Sequence, residues 1–452
     1  MKSKPSDKKQ RSFLLPSLAE QCDPRQPIKK LADKLPWGLY EEAFSDMYSE
    51  VGRPAKPIRL MVGLLLLKQI ENLSDETLIE RWVQNPYYQY FCGMEDFQWD
   101  VPCDPSDLVY FRKRIGEEGV SVIFSSSVDL HEKSLDEREI VVDTTVQEKN
   151  ITYPTDAKLR RKIVQQCWAI ADKHDVKLER RYKKEMKELI LAQRFRRKKG
   201  KAKKADKALK RMKTIAGILV RELERKMKPE DLKNYEETFE IFHQVLKQKR
   251  SDKKKIYSLH EPHVYCLSKG KDHKKYEFGC KVSIAMTKES GVIVGALSHA
   301  KNTYDGHTLD EVMEMASVIL NKPPTHLIVD RGYRGVESVE RAEVCVPSRS
   351  SQSQSKYKKA QARKRFRRRA AIEPVIGHLK SDFRMARNYL KGKLGDQINV
   401  MMAACAWNMK KWMRASLFAL IWRGLKRCQL GWDSLSKLNL SFWVFPGEFC
   451  PK

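Results

Sequence analysis

Two short runs of branched apolar residues constrain the fold of this chain most strongly. Residues 140–142 and 327–329 are such runs, and each is followed directly by an aspartate, Asp143 and Asp330. Short β-branched runs are typical of buried strands. Because open sheets commonly place ligands outside the carboxyl ends of their strands, we expect both aspartates to end a strand and to meet at one sheet edge. Taken singly, either aspartate would more often be part of a turn or a helix cap.

The segments between and after these runs predict an α/β domain. Strand patterns at residues 276–285 and 291–297 are separated by a turn and predict a hairpin. A helix over residues 308–320 and a strand over residues 343–346 complete the order β, insertion, ββ, α, β, β, α. His307 lies just before that helix and could approach a metal, but an isolated histidine there is more often a cap or packing residue.

The N-terminal part of the chain shows helical rather than strand periodicity. Residues 1–35 are polar and interrupted by prolines, so we predict a loosely ordered arm, which we extend to residue 50. Residues 51–130 predict a compact helical domain for DNA binding or assembly. A helix-turn-helix is one interpretation of it, although plain helical bundles with this pattern are commoner.

A strongly charged helical segment, residues 157–255, interrupts the predicted α/β domain. Its polarity suggests that it cannot form a core by itself, so a solvated helical hairpin and a phosphate-gripping insertion are both compatible with it. We predict nonspecific DNA contact by basic residues near its middle. These residues are Arg194, Arg196, Arg197, Lys198 and Lys199.

The overall charge indicates a polyanionic partner. The 452 residues include 88 Lys and Arg against 58 Asp and Glu, a formal net charge of +30. Such a chain attracts nucleic acid through phosphate neutralisation, with a membrane surface or a ribosome as the rival partner. No early segment resembles a signal peptide, and charges interrupt the apolar helix after residue 400, which argues against secretion and membrane insertion. The ten cysteines show no metal-binding spacing and are typical of reduced cytosolic thiols.

A third carboxylate lies in a basic helical stretch. Phe366, Arg369, Glu373 and Lys380 are spaced by three, four and seven residues, which would align them along one helix face. Pro374 predicts that the helix starts or kinks there. A surface helix with ordinary ion pairs is the alternative interpretation.

Together these segments resemble a known family. Residues 142–145 (VDTT), 330–335 (DRGYRG) and 372–380 (IEPVIGHLK) resemble the motifs of DDE transposases of bacterial insertion sequences, specifically the insertion-sequence-five group. Residues 258–262 and 276–279 extend the resemblance, which runs from residue 52 to about residue 409.

The resemblance implies an RNase H-like α/β core with a mixed sheet, a helical N-terminal domain and a basic helical insertion. It implies that Asp143, Asp330 and Glu373 are the catalytic, metal-binding triad, and that Arg369 and Lys380 contact DNA. Phe366 replaces the tyrosine that is usual in the family. Three carboxylates suit two Mg²⁺ ions, with Mn²⁺ as a substitute, because both metals accept hard oxygen ligands.

The resemblance also implies partners and an organisation. The catalytic domain would span residues 136–390, followed by a C-terminal helix and tail over residues 391–452. The expected partners are double-stranded DNA, both the element's terminal inverted repeats and its target, and a second copy of the chain on DNA. The expected location is the cytoplasm, at the nucleoid. A degenerate DNA-binding relative and a simple metal-dependent nuclease are the alternative functions.

Overall fold

A computed structural model describes most of the chain. The described residues are 16–48, 54–249, 251–252, 254–268, 275–347, 355, 357, 360, 364 and 366–427, with side chains as far as residue 416. Residues 1–15 of the predicted arm, residues 348–354 of the polar linker and residues 428–452 of the predicted tail lie outside them. The helices are α1 Leu18–Gln21, α2 Pro27–Lys34, α3 Trp37–Ser45, α4 Ile58–Ile70, α5 Asp75–Gln84, α6 Pro86–Phe91, α7 Pro105–Asp129, α8 Asp156–Lys173, α9 Lys183–Arg194, α10 Ala202–Lys226, α11 Pro229–Lys233, α12 Glu236–Lys247, α13 Leu309–Ile319, α14 Ile372–Ser381 and α15 Gly392–Arg427. The strands are β1 Glu139–Lys149, β2 Tyr265–Leu267, β3 Glu277–Thr287, β4 Ile293–His299, β5 His326–Ile328, β6 Ser338–Val339, β7 Ala342–Cys345 and β8 Arg387–Asn388.

These strands form one mixed sheet. The order β2-β3-β1-β5-β7-β6 runs across it, with β4 also pairing β3 and β8 also pairing β1. β1 pairs β3 antiparallel and β5 parallel, and β5 pairs β7 parallel. The predicted hairpin is confirmed as β3 and β4. Gly279 allows the close approach of β3 to β1, because a Cβ there would lie 1.9 Å from the carbonyl oxygen of Gln147.

β1 is longer than its apolar run predicts. It continues for eleven residues, so Asp143 lies in the middle of the strand and not at its end, which corrects the sequence-based expectation. The antiparallel partner β3 supplies backbone hydrogen bonds along the whole stretch, pairing Asp143 with Ile284 and continuing to Glu148. Pairing with β3 therefore extends β1 beyond the residues whose intrinsic strand preference predicts a strand.

The N-terminal helices are part of the main core. Residues 16–45, which we predicted to be a loosely ordered arm, form α1 to α3 and bury Leu18, Leu31, Tyr40 and Phe44. The apolar faces of α2 to α7 share one hydrophobic cluster with the sheet and with α13, α14 and α15. The prediction of an arm was wrong for these residues because sparse apolar positions on short helices suffice when a large neighbouring core covers them.

The charged insertion has a core of its own. α8, α10 and α12 bury an apolar cluster that includes Ile163, Ile215, Leu219 and Phe242, separate from the main core. The expectation that this segment could not form a core was therefore wrong. Its apolar residues recur at helical spacing on one face of each helix, and the charges occupy the opposite faces.

A buried ionic cluster joins the insertion to the main core. Lys149 at the end of β1 contacts Asp396 on α15, with its Nζ 2.6 Å from the Asp396 Oδ1, and contacts Glu261 on the returning segment at 3.5 Å. These three side chains are at most 4% exposed. His263 Nε2 lies 3.1 Å from the second Asp396 oxygen. Both stems of the insertion are thereby attached to α15.

α15 is long but carries charges along its length. Within the residues that the structure describes, no helix combines the length and apolarity needed to cross a membrane.

Candidate active site

Asp143 lies on β1, and Asp330 follows the end of the neighbouring strand β5. The parallel pairing of β1 with β5 ends with Val141 opposite Ile328, and Asp143 and Asp330 each follow two residues later. Asp330 follows the end of β5, as expected. The sheet therefore brings together two carboxylates that are separated by 187 positions in the chain.

Backbone hydrogen bonds orient both aspartates. Asp330 caps a short 3-10 turn, and its Oδ1 accepts a hydrogen bond of 2.7 Å from the Gly332 amide. Asp143 Oδ1 accepts one of 2.7 Å from the Thr144 amide. Side-chain orientation is thus set locally in each case, which reduces the cost of ordering the carboxylates when a ligand binds.

A third aspartate, which the sequence analysis missed, belongs to the same region. Asp305 Oδ1 accepts hydrogen bonds from Lys281 Nζ at 2.8 Å and from Thr144 Oγ1 at 3.0 Å. Its Oδ2 lies 3.4 Å from where a Cβ on Gly332 would stand. His307 is the more conspicuous residue of this segment in the sequence, whereas an Asp-Gly pair ahead of a helix is too common a turn to indicate a site.

Tyr333 is buried within the electrostatic influence of these carboxylates. Its side chain is fully buried, and its hydroxyl forms no hydrogen bond of acceptable geometry with any described residue. Burial and, after it, the charges of Asp143, Asp305 and Asp330 raise the pKa of Tyr333 well above its usual range, while the nearby Thr144 side chain opposes that rise. The hydroxyl therefore stays protonated and available as a donor.

Glu373 lies on the helix that packs against β1. α14 begins at Ile372, so Pro374 is inside its first turn, where proline is tolerated, and the helix does not start at that proline. The Glu373 side chain is 64% exposed, and its Oε1 lies 3.8 Å from Arg369 Nη2. Lys380 is on the last turn of α14, and the partly buried Phe366 packs against the main core.

The donor chemistry of the site suits a hard divalent cation, but the side chains do not converge on one point. Among the described residues, no three His, Cys, Asp or Glu side chains are close enough to hold a metal ion. Asp143 and Asp330 are adjacent carboxylates, and the unpartnered Tyr333 hydroxyl lies within their electrostatic influence. Carboxylate oxygens are the ligands that Mg²⁺ prefers, so these residues fit the metal in kind.

The basic residues predicted for DNA contact lie at an exposed tip. α9 ends at Arg194, and the turn before α10 carries Arg197, Lys198 and Lys199, all exposed to solvent. Arg196 is paired with Asp206 at 2.7 Å. The structure does not bring this tip together with the aspartates through any contact among the described residues.

Comparisons with known proteins decide the family. Residues 16–114 match a family described as Transposase domain (DUF772), and residues 236–409 match one described as Transposase DDE domain. The chain belongs to the insertion-sequence DDE transposases. A protein of Rhizobium meliloti named "Uncharacterized protein ORF8 in nfe locus" is 44% identical over 167 residues, which are 35% of this chain and 80% of that protein. No solved structure matches the chain.

Membership gives the fold and the activity in outline. The transposase has an RNase H-like core, which is the mixed sheet described above, and it is an enzyme that moves DNA. Its family binds DNA and generally depends on divalent metal ions. The N-terminal match begins at residue 16 and so includes the helices α1 to α3 that the sequence analysis had assigned to an arm.

Proposed function

We propose that this transposase cleaves DNA at the ends of an insertion sequence and transfers the freed strands into target DNA, with Asp143, Asp330 and Glu373 as its catalytic, metal-binding residues. The observation that supports the proposal is the parallel register of β1 and β5, whose last pair, Val141 and Ile328, lies two residues before Asp143 and Asp330. Two adjacent carboxylates in a DNA-processing enzyme are suited to bind a cation that phosphate oxygens also approach.

Glu373 is the proposed third member, and it would have to turn toward the sheet. Its present contact with Arg369 is a partly exposed ion pair, of a kind that stabilises a protein by roughly 0–1 kcal/mol at most. A DNA phosphate would compete well for the Arg369 guanidinium, because bidentate contacts between arginine and phosphate are strong. Phosphate binding would then release the carboxylate at little cost.

Asp143, Asp330 and Glu373 would hold Mg²⁺, as two ions in our proposal, with Mn²⁺ as a substitute. When bound, the metal activates a water or 3′-hydroxyl and stabilises the leaving oxygen at phosphorus. The chain's own part is to keep both aspartates oriented through the amides of Thr144 and Gly332. Arg369 and Lys380 would fix the DNA backbone near Glu373 by charge-assisted hydrogen bonds.

The remaining assignments concern partners and organisation. The DNA would be the terminal inverted repeats and the target duplex, held by a homodimer because two ends must be joined together. Residues 51–130 would bind DNA or support assembly, residues 136–390 would form the catalytic domain and residues 391–452 the C-terminal helix and tail. The insertion-sequence-five group and a cytoplasmic, nucleoid-associated location are further parts of the proposal.

The test is Mg²⁺-dependent excision of a marker flanked by the DNA that borders this gene. Wild type is compared with Asp143→Ala, Asp330→Ala and Glu373→Ala, and with Asp310→Ala as a control that removes an exposed acidic group from α13. We expect each site variant to lose excision by a factor of at least about a thousand, because removing a metal ligand abolishes transition-state stabilisation. The control should keep wild-type activity and all variants should unfold at similar temperatures.

Three outcomes would contradict part or all of the proposal. Retained activity in Glu373→Ala would remove Glu373 from the site while leaving the aspartates in place. Cutting without joining would favour the simple nuclease, and binding of the ends without cutting in either Mg²⁺ or Mn²⁺ would favour the degenerate DNA-binding relative.

A further inference from the structure

Asp305 is tied to the candidate site by two hydrogen bonds and by its closeness to Asp330. It lies in a 3-10 turn after β4, and its Oδ1 binds Thr144, the neighbour of Asp143 on β1. The same oxygen binds Lys281 on β3. Its other oxygen, Oδ2, and Asp330 Oδ1 both lie within 3.4 Å of the point that a Cβ on Gly332 would occupy. Asp305 therefore lies near Asp330 and binds the residue that follows Asp143, although it belongs to neither of their motifs.

The Lys281 ammonium places a buried positive charge next to Asp305. Its side chain is only 9% exposed, against 29% for Asp305, and its Nζ also donates to the Thr303 carbonyl. A buried ammonium in this region would disfavour a nearby cation unless its own charge were neutralised. Asp305 provides that neutralisation at 2.8 Å.

The Tyr333 hydroxyl is a second and independent indication that the region binds a ligand. It is a fully buried donor without a hydrogen-bond partner among the described residues, and the charges around it come from Asp143, Asp305 and Asp330. Buried polar groups are rarely left unpaired unless an ion, water or ligand completes them. The charges of all three aspartates thus act on one buried hydroxyl.

We propose that Asp305 is a positioning residue of this active site, which neutralises Lys281 and holds Thr144 so that Asp143 and Asp330 can bind a divalent cation. The inference rests on the proposed function of those two aspartates. It assigns Asp305 an effect on metal affinity through charge balance, and it predicts that Lys281 and Asp305 act as a pair.

The pairing gives two variants opposite effects. Asp305→Asn leaves the buried Lys281 charge uncompensated, so the Mn²⁺ concentration for half-saturation should rise at least about tenfold, as is typical when a group supporting metal ligands is lost. Lys281→Met removes the positive charge and should lower that concentration. The double variant removes both charges and should return to within about twofold of wild type if the two effects cancel through the pair.

The experiment measures Mn²⁺ binding directly, from the electron paramagnetic resonance signal of the free ion, on the full chain without DNA. The half-saturating Mn²⁺ concentration for DNA cleavage is a second readout. Asp310→Asn is the matched control, because it removes an equal charge from an exposed position five residues away. Thermal unfolding without metal identifies any variant that fails to fold.

Each result bears on the proposal. Weaker Mn²⁺ binding in Asp305→Asn that is restored by adding Lys281→Met supports charge balance. If Asp305 had a merely structural role, the double variant would bind Mn²⁺ more weakly than either single variant. Wild-type affinity in Asp305→Asn overturns the inference, even where Asp330→Ala abolishes binding and the proposed site stands. If Asp305→Asn does not fold, Lys281→Met decides, and unchanged or weaker binding there overturns the inference. Absence of Mn²⁺ binding by the wild type overturns both proposals.

Discussion

The main core around the sheet and the helical insertion bury their apolar side chains through contacts of different sequence range. The main core gathers side chains from distant parts of the chain, so that Leu31, Ile140 and Val400 share one cluster. The insertion buries its apolar residues within about a hundred consecutive positions, from Leu159 to Leu259. One region is therefore held by long-range pairing, and the other by neighbouring helices.

This difference teaches that a high charge content does not preclude a core. The insertion carries the basic tip, yet its α10 alone buries Met212, Ile215 and Leu219 on one face. A single apolar face on each helix is enough when the faces meet. The comparison predicts that the two regions unfold semi-independently and communicate through the ionic cluster at their junction.

The largest expected effect is at that junction. Lys149→Met would leave Glu261 and Asp396 buried without their ammonium partner, and we expect the free energy of unfolding to fall by about 3–5 kcal/mol. Urea unfolding measures it. Lys158→Met, at an exposed position on α8, is the control and should change the value by less than about 0.5 kcal/mol. A small effect for Lys149→Met would mean that the regions are joined by other contacts.

The next prediction separates the two cores. Leu219 and Leu64 are both fully buried, the first in the insertion and the second in the main core. Leu219→Ala and Leu64→Ala should each cost about 2–5 kcal/mol in local stability. In hydrogen exchange, Leu219→Ala should accelerate amides of α8, α10 and α12 and spare β3, and Leu64→Ala should do the reverse. Equal acceleration everywhere would contradict the two-core description.

A smaller effect concerns pH and the main core. Burial lowers the pKa of His131 below its usual 6.5, and the nearby Lys411 lowers it further against the opposing hydrogen bond to the Asn408 carbonyl. The unfolded chain takes up this proton first, so the free energy of unfolding decreases as pH falls below about 6.5. His131→Gln should reduce that slope, by at most about 1.4 kcal/mol per pH unit. His260 and His299, whose pKa values burial also lowers, leave a remaining slope.

Unfolding experiments between about pH 7 and pH 5 test this point. The sharpest form of the test follows amide exchange in α7 and α15, which His131 connects through Asn408. An unchanged slope in His131→Gln would show that this histidine does not link main-core stability to pH.

At the basic tip between α9 and α10 we expect the smallest effect on stability, together with a clear effect on DNA binding. Replacing Arg197, Lys198 and Lys199 with glutamine should change the free energy of unfolding by less than about 0.5 kcal/mol, because all three are exposed. The slope of log affinity for duplex DNA against log salt should fall by about 0.9 for each phosphate that the variant no longer neutralises. The matched control changes Arg225, Lys228 and Lys233, near the other end of α10, to glutamine. A similar decrease of the slope in both triple variants would remove the special role of the tip.

Features of this protein that depend on contacts between residues close in sequence could be predicted from the sequence alone. The β-branched runs before Asp143 and Asp330, the hairpin of β3 and β4, and the helix α13 follow from local periodicity. The motifs around both aspartates and Glu373 identified the family, which the matching domains confirm. The roles of the individual site residues remain predictions.

Other features depended on tertiary structure. β1 extends past Asp143 because β3 pairs with it, and α1 to α3 are ordered because the main core covers them. Asp305 reaches Thr144 across 161 positions of the chain, through the register of strands that no local pattern encodes. The sequence by itself determined the periodicities, the net charge and the family motifs, since these depend on residue type and spacing alone. Only the tertiary structure decided which carboxylates, ammonium groups and apolar faces became neighbours, because proximity between distant residues is set by packing and strand register.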